Sequence, residues 1–440
     1  MKFQVSLLGV IVLSWPLAAP VPAAAQPASC TDQGWVGAWE APPSDASLGT
    51  DTGDSINLDR FDLSQNPKSM LRNETVRAIL TPTLGGSTTR VRLSNRFGTT
   101  PVTFTRTTLG HRVSAAALTP DAASLTFDGK QSVTAAPGQD VVSDPVPFTF
   151  NAFEPIAVSV YIAGDIRPTE HYAARQTSYL TPENAGDHTA DSDGAAFTQH
   201  TTARPFVDGI EVQAPKSTGA VVTLGDSITD GYQGTPGGMP EAAESIDADG
   251  RWPDNLARRL RAAARPLAVL NAGIAGNRVL QDATAGGSPD VYGPAAIHRL
   301  DADVLSQAGV TTVVLLEGIN DLIMAPNATV DELVAGYRQL IDRMHSRGLR
   351  VLQGTMTPIG GMDGATPDDE ARRQAVNTWI RAQSPADGVV DFDAAVRDPA
   401  DPTRINPAYD GSDHLHFNLV GYRVMADAVP LDRLIDGVCS

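Results

Sequence analysis

Apolar and polar residues alternate in short runs along the first half of the chain. Ile156, Val158, Val160 and Ile162 fall on one face of an extended segment, while Ala157, Ser159 and Tyr161 fall on the other. A period of two predicts a half-buried strand. Similar runs occupy 76–80, 89–93, 102–108, 125–127 and 146–150, with turn residues Gly85-Gly86, Phe97-Gly98-Thr99 and Pro137-Gly138 between them. Several short strands punctuated in this way predict an all-β, jelly-roll-like sandwich over residues 30–215. Within it, the stretch 182–215 opens with Asn184, Gly186, Asp187, Asp191, Asp193 and Gly194 and reads as a polar loop and linker. The boundary is expected at Pro215-Lys216-Ser217.

After residue 217 the pattern changes to strand-like runs alternating with amphipathic helical stretches. Strands are expected at 220–224, 267–271, 311–316, 350–354 and 389–392, and helices at 252–264, 295–307, 330–347, 368–383 and 419–434. Five β–α repeats predict an α/β region over 217–440. Its five-stranded parallel sheet should carry helices on both faces, because right-handed crossovers put them there. Ligands of such sheets sit at the carboxyl ends of the strands, so the chemistry is sought in the residues that follow each strand.

The first residues do not belong to either pattern. Residues 1–25 run from Met1-Lys2 through an apolar stretch to Ala23-Ala24-Ala25, the grammar of a secretory signal peptide and hence of an extracellular protein. A membrane anchor would need about 20 apolar residues, and Pro16, Pro20 and Pro22 break the run. Acylation of Cys30 fits less well, because Pro27-Ala28-Ser29 lacks the aliphatic residue expected before a lipidated cysteine. No stable membrane association is expected.

Charge narrows the partners. The 440 residues include 51 acidic and 33 basic side chains, a net charge of -18, which argues against nucleic acid because phosphate contacts need Lys and Arg in excess. With 19% charged and 42% hydrophobic residues the chain has the composition of a folded protein.

Candidate chemistry follows the strands. After the first comes Gly225-Asp226-Ser227, where a Ser at a strand-to-helix junction can expose its hydroxyl as an acyl-transfer nucleophile; an N-cap or a phosphate-binding turn explains it equally. After the second comes Asn271-Ala272-Gly273-Ile274-Ala275-Gly276-Asn277, whose glycines could aim an amide N–H into a cleft or simply make a turn. After the third comes Glu317-Gly318-Ile319-Asn320-Asp321, where Asn320 could donate to a developing oxyanion or cap a helix. The loop after the fifth holds Asp410-Gly411-Ser412-Asp413-His414-Leu415-His416. Asp413 and His416 are three positions apart in a turn and can lie on one side, so that the carboxylate orients the ring toward the Ser hydroxyl. His414 should point elsewhere, and a metal site built on the His-x-His pair is the competing reading.

These blocks, in this order, resemble the SGNH (GDSL-type) hydrolase family over roughly 217–440. Gly225-Asp226-Ser227 is similar to its nucleophile block, Gly318-Ile319-Asn320-Asp321 to its third block and Asp413-His414-Leu415-His416 to its Asp-x-x-His block. The second block's oxyanion Gly fits Gly276 better than Gly273. The family usually has Pro after the His, where this chain has Phe417. The β-rich half, with Trp35-Val36-Gly37-Ala38-Trp39, resembles the two-domain secreted branch related to putative xylanase-associated acylhydrolases.

The resemblance implies a flavodoxin-like three-layer α/β/α hydrolase domain and ester hydrolysis through an acyl-enzyme, with neither metal nor organic cofactor. Ser227 would be the nucleophile, His416 the general base and acid, and Asp413 the residue that orients it. The N–H groups of Ser227 and Gly276 and the Asn320 side chain would form the oxyanion hole. Asp226 and Asp321 are read as loop supports.

The expected substrate is a small-molecule or polysaccharide ester with a short acyl group on a carbohydrate or aryl alcohol, because 232–250 and the loop around Gly286–Gly293 offer no continuous apolar lid. A lipid ester is the alternative, and a polysaccharide-binding protein on an inactive hydrolase scaffold is the alternative of another class. Export makes Cys30 and Cys439 candidates for a disulfide joining the two halves.

Overall fold

A computed structural model describes residues 1, 30–46, 70–236, 242–283, 290–437 and 439. The expected signal segment, apart from its first residue, and parts of the 232–250 and 286–293 loops lie outside the described residues.

The β-rich half forms two antiparallel sheets packed face to face. In one, Gln33–Glu40 pairs with Val207–Pro215, which pairs with Gly86–Asn95, and that strand carries both Val146–Phe150 and Gln139–Val142 on its far edge. In the other, Gln199–Thr201, Ser178–Leu180, Leu71–Leu80, Ile156–Ile166 and Arg106–Ser114 follow in order, with Ala117–Leu118 at the end. Val91, Leu93, Ile210 and Val212 of the first meet Val76, Leu80, Val158 and Val160 of the second in one apolar core.

Four expectations change here. The segment 182–215 is not a linker throughout, because Val207–Pro215 is a central strand whose Ile210 and Val212 are fully buried. Its Asp208 and Glu211 disguise the alternation, and they are buried because Arg92 and Arg90 pair with them at 2.8 and 2.6 Å. The stretch 102–108 is two strands, Val102–Phe104 and the start of Arg106–Ser114. Residues 125–127 make only an isolated bridge, Phe127 to Lys130.

Finally, the strand Ile156–Ile166 is buried on both faces over 156–160, not on one. Its second face, with Ala157 and Ser159, lies beneath loops gathered by the buried Arg77, which donates to Ser159 Oγ (2.8 Å) and to the carbonyls of Ala116 (2.5 Å) and Asp191 (2.8 Å). Satisfied by carbonyls and a hydroxyl, a buried guanidinium can act as a cross-link.

The second half is built on one parallel sheet in the order Leu267–Gly273, Gly219–Gly225, Val310–Leu316, Arg350–Gly354, Gly388–Val390. Alternate residues of its strands face opposite layers. Ala220, Val222 and Leu224 pack with Leu300, Leu333, Leu340 and Ile380. Val221 and Val269 pack with Leu256, Leu260 and Met425 on the other side.

The helices depart from expectation at their ends. The stretch 295–307 is a short helix, Ala296–Leu300, that widens into a π turn at Asp301–Leu305. The last helix, Leu419–Ala428, stops before Pro430, which has no N–H to continue it. Phe392 begins a helix instead of ending a strand.

The strand order 2-1-3-4-5 reverses direction between Gly219–Gly225 and Val310–Leu316, and such a switch point opens a crevice at the strands' carboxyl ends.

The two halves are tied by hydrogen bonds as well as packing. Gly37 N–H donates to Ala308 O at 2.9 Å, and Thr83 Oγ1 both donates to Val269 O (3.0 Å) and accepts Val269 N–H (2.9 Å). Gln307 bridges Arg92 (3.1 Å) and Glu40 (2.7 Å), and Arg96 pairs with Asp303 at 2.6 Å. Among the described residues no helix is long and apolar enough to cross a membrane. Cys30 and Cys439 are free thiols set side by side, with Cys30 Sγ 3.5 Å from Cys439 O.

Candidate active site

The first block stands at the switch point. Asp226 caps a single helical turn, Ser227–Asp230, by accepting Ile228 N–H at 3.0 Å, and Gly231 in the left-handed conformation ends the turn at once. Ser227 therefore occupies the first helical position, where its own N–H has no intrahelical acceptor.

His416 Nε2 lies 2.8 Å from Ser227 Oγ, and His416 Nδ1 lies 2.6 Å from Asp413 Oδ2. The other Asp413 oxygen accepts the N–H groups of Leu415 (3.1 Å) and His416 (2.9 Å). Burial pushes this carboxyl up, but the facing imidazole and these donors outweigh it and bring it down to about 2. A carboxylate that accepts at Nδ1 places the ring hydrogen there and turns the Nε2 lone pair toward the serine hydroxyl.

Gly234 is what lets the chain after the Ser227 turn pass over this pair, since a Cβ there would fall 1.8 Å from Asp413 Oδ2. Tyr232 meets the His416 ring edge-on at 4.6 Å.

The second and third blocks close the other side of the serine. Gly276 has φ +78°, and a Cβ on it would enter the Tyr292 ring at 2.2 Å, so both conformation and space restrict the position to Gly. Asn320 Nδ2 donates to Asn277 O at 2.9 Å with one of its two hydrogens. Ser227, Gly276, Asn320, Asp413 and His416 all border one cleft of about 510 Å³. The structure thus brings together every residue that the blocks nominated.

The acids beside the blocks do other work. Asp321 accepts Val279 N–H (2.8 Å) and Leu280 N–H (3.0 Å), tying the second loop to the third. Burial raises Asp226 to about 7 and Asp321 to about 6, and pushes Glu317 well above the usual carboxylate range.

Arg299 lies near Asp226 and Glu317, donating to Gly225 O (2.9 Å), Ala272 O (2.8 Å) and Asn277 Oδ1 (2.9 Å), with Glu317 at 3.5 Å. It thereby ties the ends of two strands to the Gly276 loop. In the sequence it is one Arg within an amphipathic stretch, indistinguishable from a surface residue.

Tyr172, Arg175 and His171 were also beyond sequence reasoning, since they belong to the β-rich half and no local pattern links His171 and Arg175 to Asp230, 59 and 55 positions downstream. Tyr172 lines the cleft, and His171 and Arg175 contact Asp230 in the Ser227 turn.

The histidine pair does not share a ligand direction: His414 Nδ1 pairs with Asp410 Oδ2 at 2.5 Å, whereas His416 is held between Asp413 and Ser227. Among the described residues no three His, Cys, Asp or Glu side chains gather as a metal site.

A family model described as the GDSL-like Lipase/Acylhydrolase family matches residues 223–424. No curated protein matches the chain. Three similar solved structures, each aligned over 48% of this chain and 96% of its own, are an aryl esterase of M. smegmatis (18% identity, TM-score 0.38), Est24, a carbohydrate acetylesterase from Sinorhizobium meliloti (16%, 0.38), and the acetyl xylan esterase AlAXEase (21%, 0.33).

Proposed function

We propose that the protein, whose residues 223–424 match the GDSL-like lipase/acylhydrolase family, is a carboxylic ester hydrolase, a secreted serine esterase acting on short-acyl esters of carbohydrates or aryl alcohols. The observation that carries this reading is the continuous relay Ser227–His416–Asp413, at 2.8 and 2.6 Å, opening into the cleft.

Ser227 Oγ attacks the ester carbonyl while His416 Nε2 takes its proton, and Asp413 stabilises the resulting imidazolium. The N–H groups of Ser227 and Gly276 and the second amide hydrogen of Asn320 receive the oxyanion. His416 returns the proton to the departing alcohol and then activates the water that releases the acid, restoring the serine.

The cleft supports a small substrate. Its volume of about 510 Å³ is within the range of small-molecule sites, and three of its walls are the rings of Tyr172, Tyr232 and Tyr292, faces suited to a sugar or an aryl group. The net charge of -18 favours neutral esters.

Rates on p-nitrophenyl esters of increasing chain length, with acetate release from acetylated xylan, test the substrate; a rate that climbs toward long chains would make it a lipid esterase. Ser227→Ala should abolish turnover and labelling by a fluorophosphonate. Wild-type protein that failed to label would be a binding scaffold instead.

Export through residues 1–25 and oxidation of Cys30 with Cys439 complete the reading. Intact mass of the secreted protein should begin after Ala25 and be two hydrogens lighter than the dithiol form.

A further inference from the structure

The β-rich half sends one segment into the α/β half at the site itself. Glu170–His171 pairs with Arg204–Pro205 and is anchored to the first strand's exit, with Ser44 N–H donating to Glu170 O at 2.8 Å and Glu170 N–H to Asp45 O at 2.9 Å. The next residues carry three side chains to the cleft. His171 donates from Nδ1 to Pro42 O (2.7 Å) and faces Asp230 Oδ1 with Nε2 at 3.3 Å. Arg175, at φ +50°, places Nη1 2.7 Å from Asp230 Oδ2. Tyr172 stands beside Tyr292, ring centroids 6.5 Å apart, as part of the cleft wall.

Asp230 is the last residue of the nucleophile's helical turn, and its carboxylate also accepts Ala275 N–H at 3.1 Å, immediately before Gly276. The contact is close by construction, since a Cβ on Gly273 would fall 2.2 Å from Asp230 N. Arg175 also lies 5.3 Å from the Tyr232 ring, and Tyr232 is the residue packed on His416. Two routes therefore run from one arginine of the β-rich half, one to the oxyanion-side loop and one to the base.

Asp230 is buried, at 1% side-chain exposure. Burial pushes its carboxyl up, but Arg175 and His171 more than offset this and hold it below the usual range. Without them, the acceptor that fixes Ala275 would be a buried, unpaired charge.

We propose that the β-rich half is a structural part of the ester-hydrolysing site: Arg175 and His171 are positioning residues that act through Asp230 on the Ser227 turn and the Gly276 loop, and Tyr172 forms the wall that receives the alcohol or acyl group. This rests on the serine esterase reading above.

The test uses the full chain, p-nitrophenyl acetate, and titration of functional serines with a fluorophosphonate, so that kcat is expressed per active site. Arg175→Met and Asp230→Asn should each lower kcat about 100-fold, the cost of displacing a reacting group by about an ångström, with KM changed less than threefold. Arg175→Lys should recover part of that loss. Tyr172→Ala should instead raise KM and leave kcat within a fewfold.

A merely structural contact would lower the titrated fraction or Tm while each remaining site worked at the wild-type rate, and that result would overturn the proposal. Should Arg175→Met fail to fold, Asp230→Asn, nearly isosteric, answers the same question. Ser227→Ala separates the two readings: if it is inactive while Arg175→Met and Asp230→Asn are fully active per site, only the positioning role falls; if it stays active, the serine mechanism falls.

Discussion

Two aspartate–histidine pairs share one short loop. Asp413–His416 and Asp410–His414 have almost the same separation, 2.6 and 2.5 Å, and in both the carboxylate meets Nδ1. They differ in surroundings. The His416 side chain is 11% exposed with Nε2 on Ser227, whereas the His414 side chain is 46% exposed on the rim of the same cleft. A hydrogen-bonded His–Asp pair is thus no signature by itself; what separates a relay from a surface contact is where the far nitrogen points and how dry its surroundings are.

The two pairs should part most widely at His416. His416→Ala should cut kcat by about 10⁶-fold, the scale for losing a triad base, in a steady-state assay with p-nitrophenyl acetate. Asp413→Asn should cost about 10⁴-fold by leaving the imidazole in the wrong tautomer.

This variant also carries a pH signature. Asp413 lies at about 2 in the fold against about 3.9 in an unfolded chain. A lowered folded pKa favours the fold above pH ~4, and that contribution is lost as pH falls through about 2. The Tm gap between wild type and Asp413→Asn should therefore be widest above pH ~4 and close toward pH ~2.

Gly234→Ala sharpens the contrast without touching either pair chemically. Its methyl group would collide with Asp413 but not with Asp410, so kcat should fall about 100-fold. Smallest of all, His414→Ala should leave kcat within about twofold, as expected for an exposed pair. If His414→Ala were the crippling variant and His416→Ala the mild one, the roles would be reversed.

How much of this could be read beforehand differs between the halves. In the parallel sheet the four longer strands are rich in Val and Leu and buried on both faces, and 350–354 coincides with the observed Arg350–Gly354. Three of the blocks lie within a few residues of strand ends and the fourth just before the last helix, so Ser227, Gly276, Asn320, Asp413 and His416 could be nominated one by one.

The antiparallel sheets were less legible because buried arginines let polar residues point inward. Arg77 covers what should have been the wet face of Ile156–Ile166, and Arg92 takes Asp208 inside a central strand. A reading that equates polar with exposed fails wherever a guanidinium supplies the missing partner. Arg175 and Tyr172 were hidden for another reason, since their meaning depends on packing between halves and not on any period along the chain.

The meeting of Cys30 and Cys439 also bears on topology. Residues 409 positions apart in sequence touch at 3.5 Å, so between these two points the polypeptide is nearly a closed ring. On a ring, which half comes first is arbitrary. A permuted chain that joined 439 to 30 through a short linker and opened at the exposed turn Asp128–Gly129 would keep the contacts between the halves described above. Arg175 would still reach Asp230 although its half was synthesised partly before and partly after the serine's.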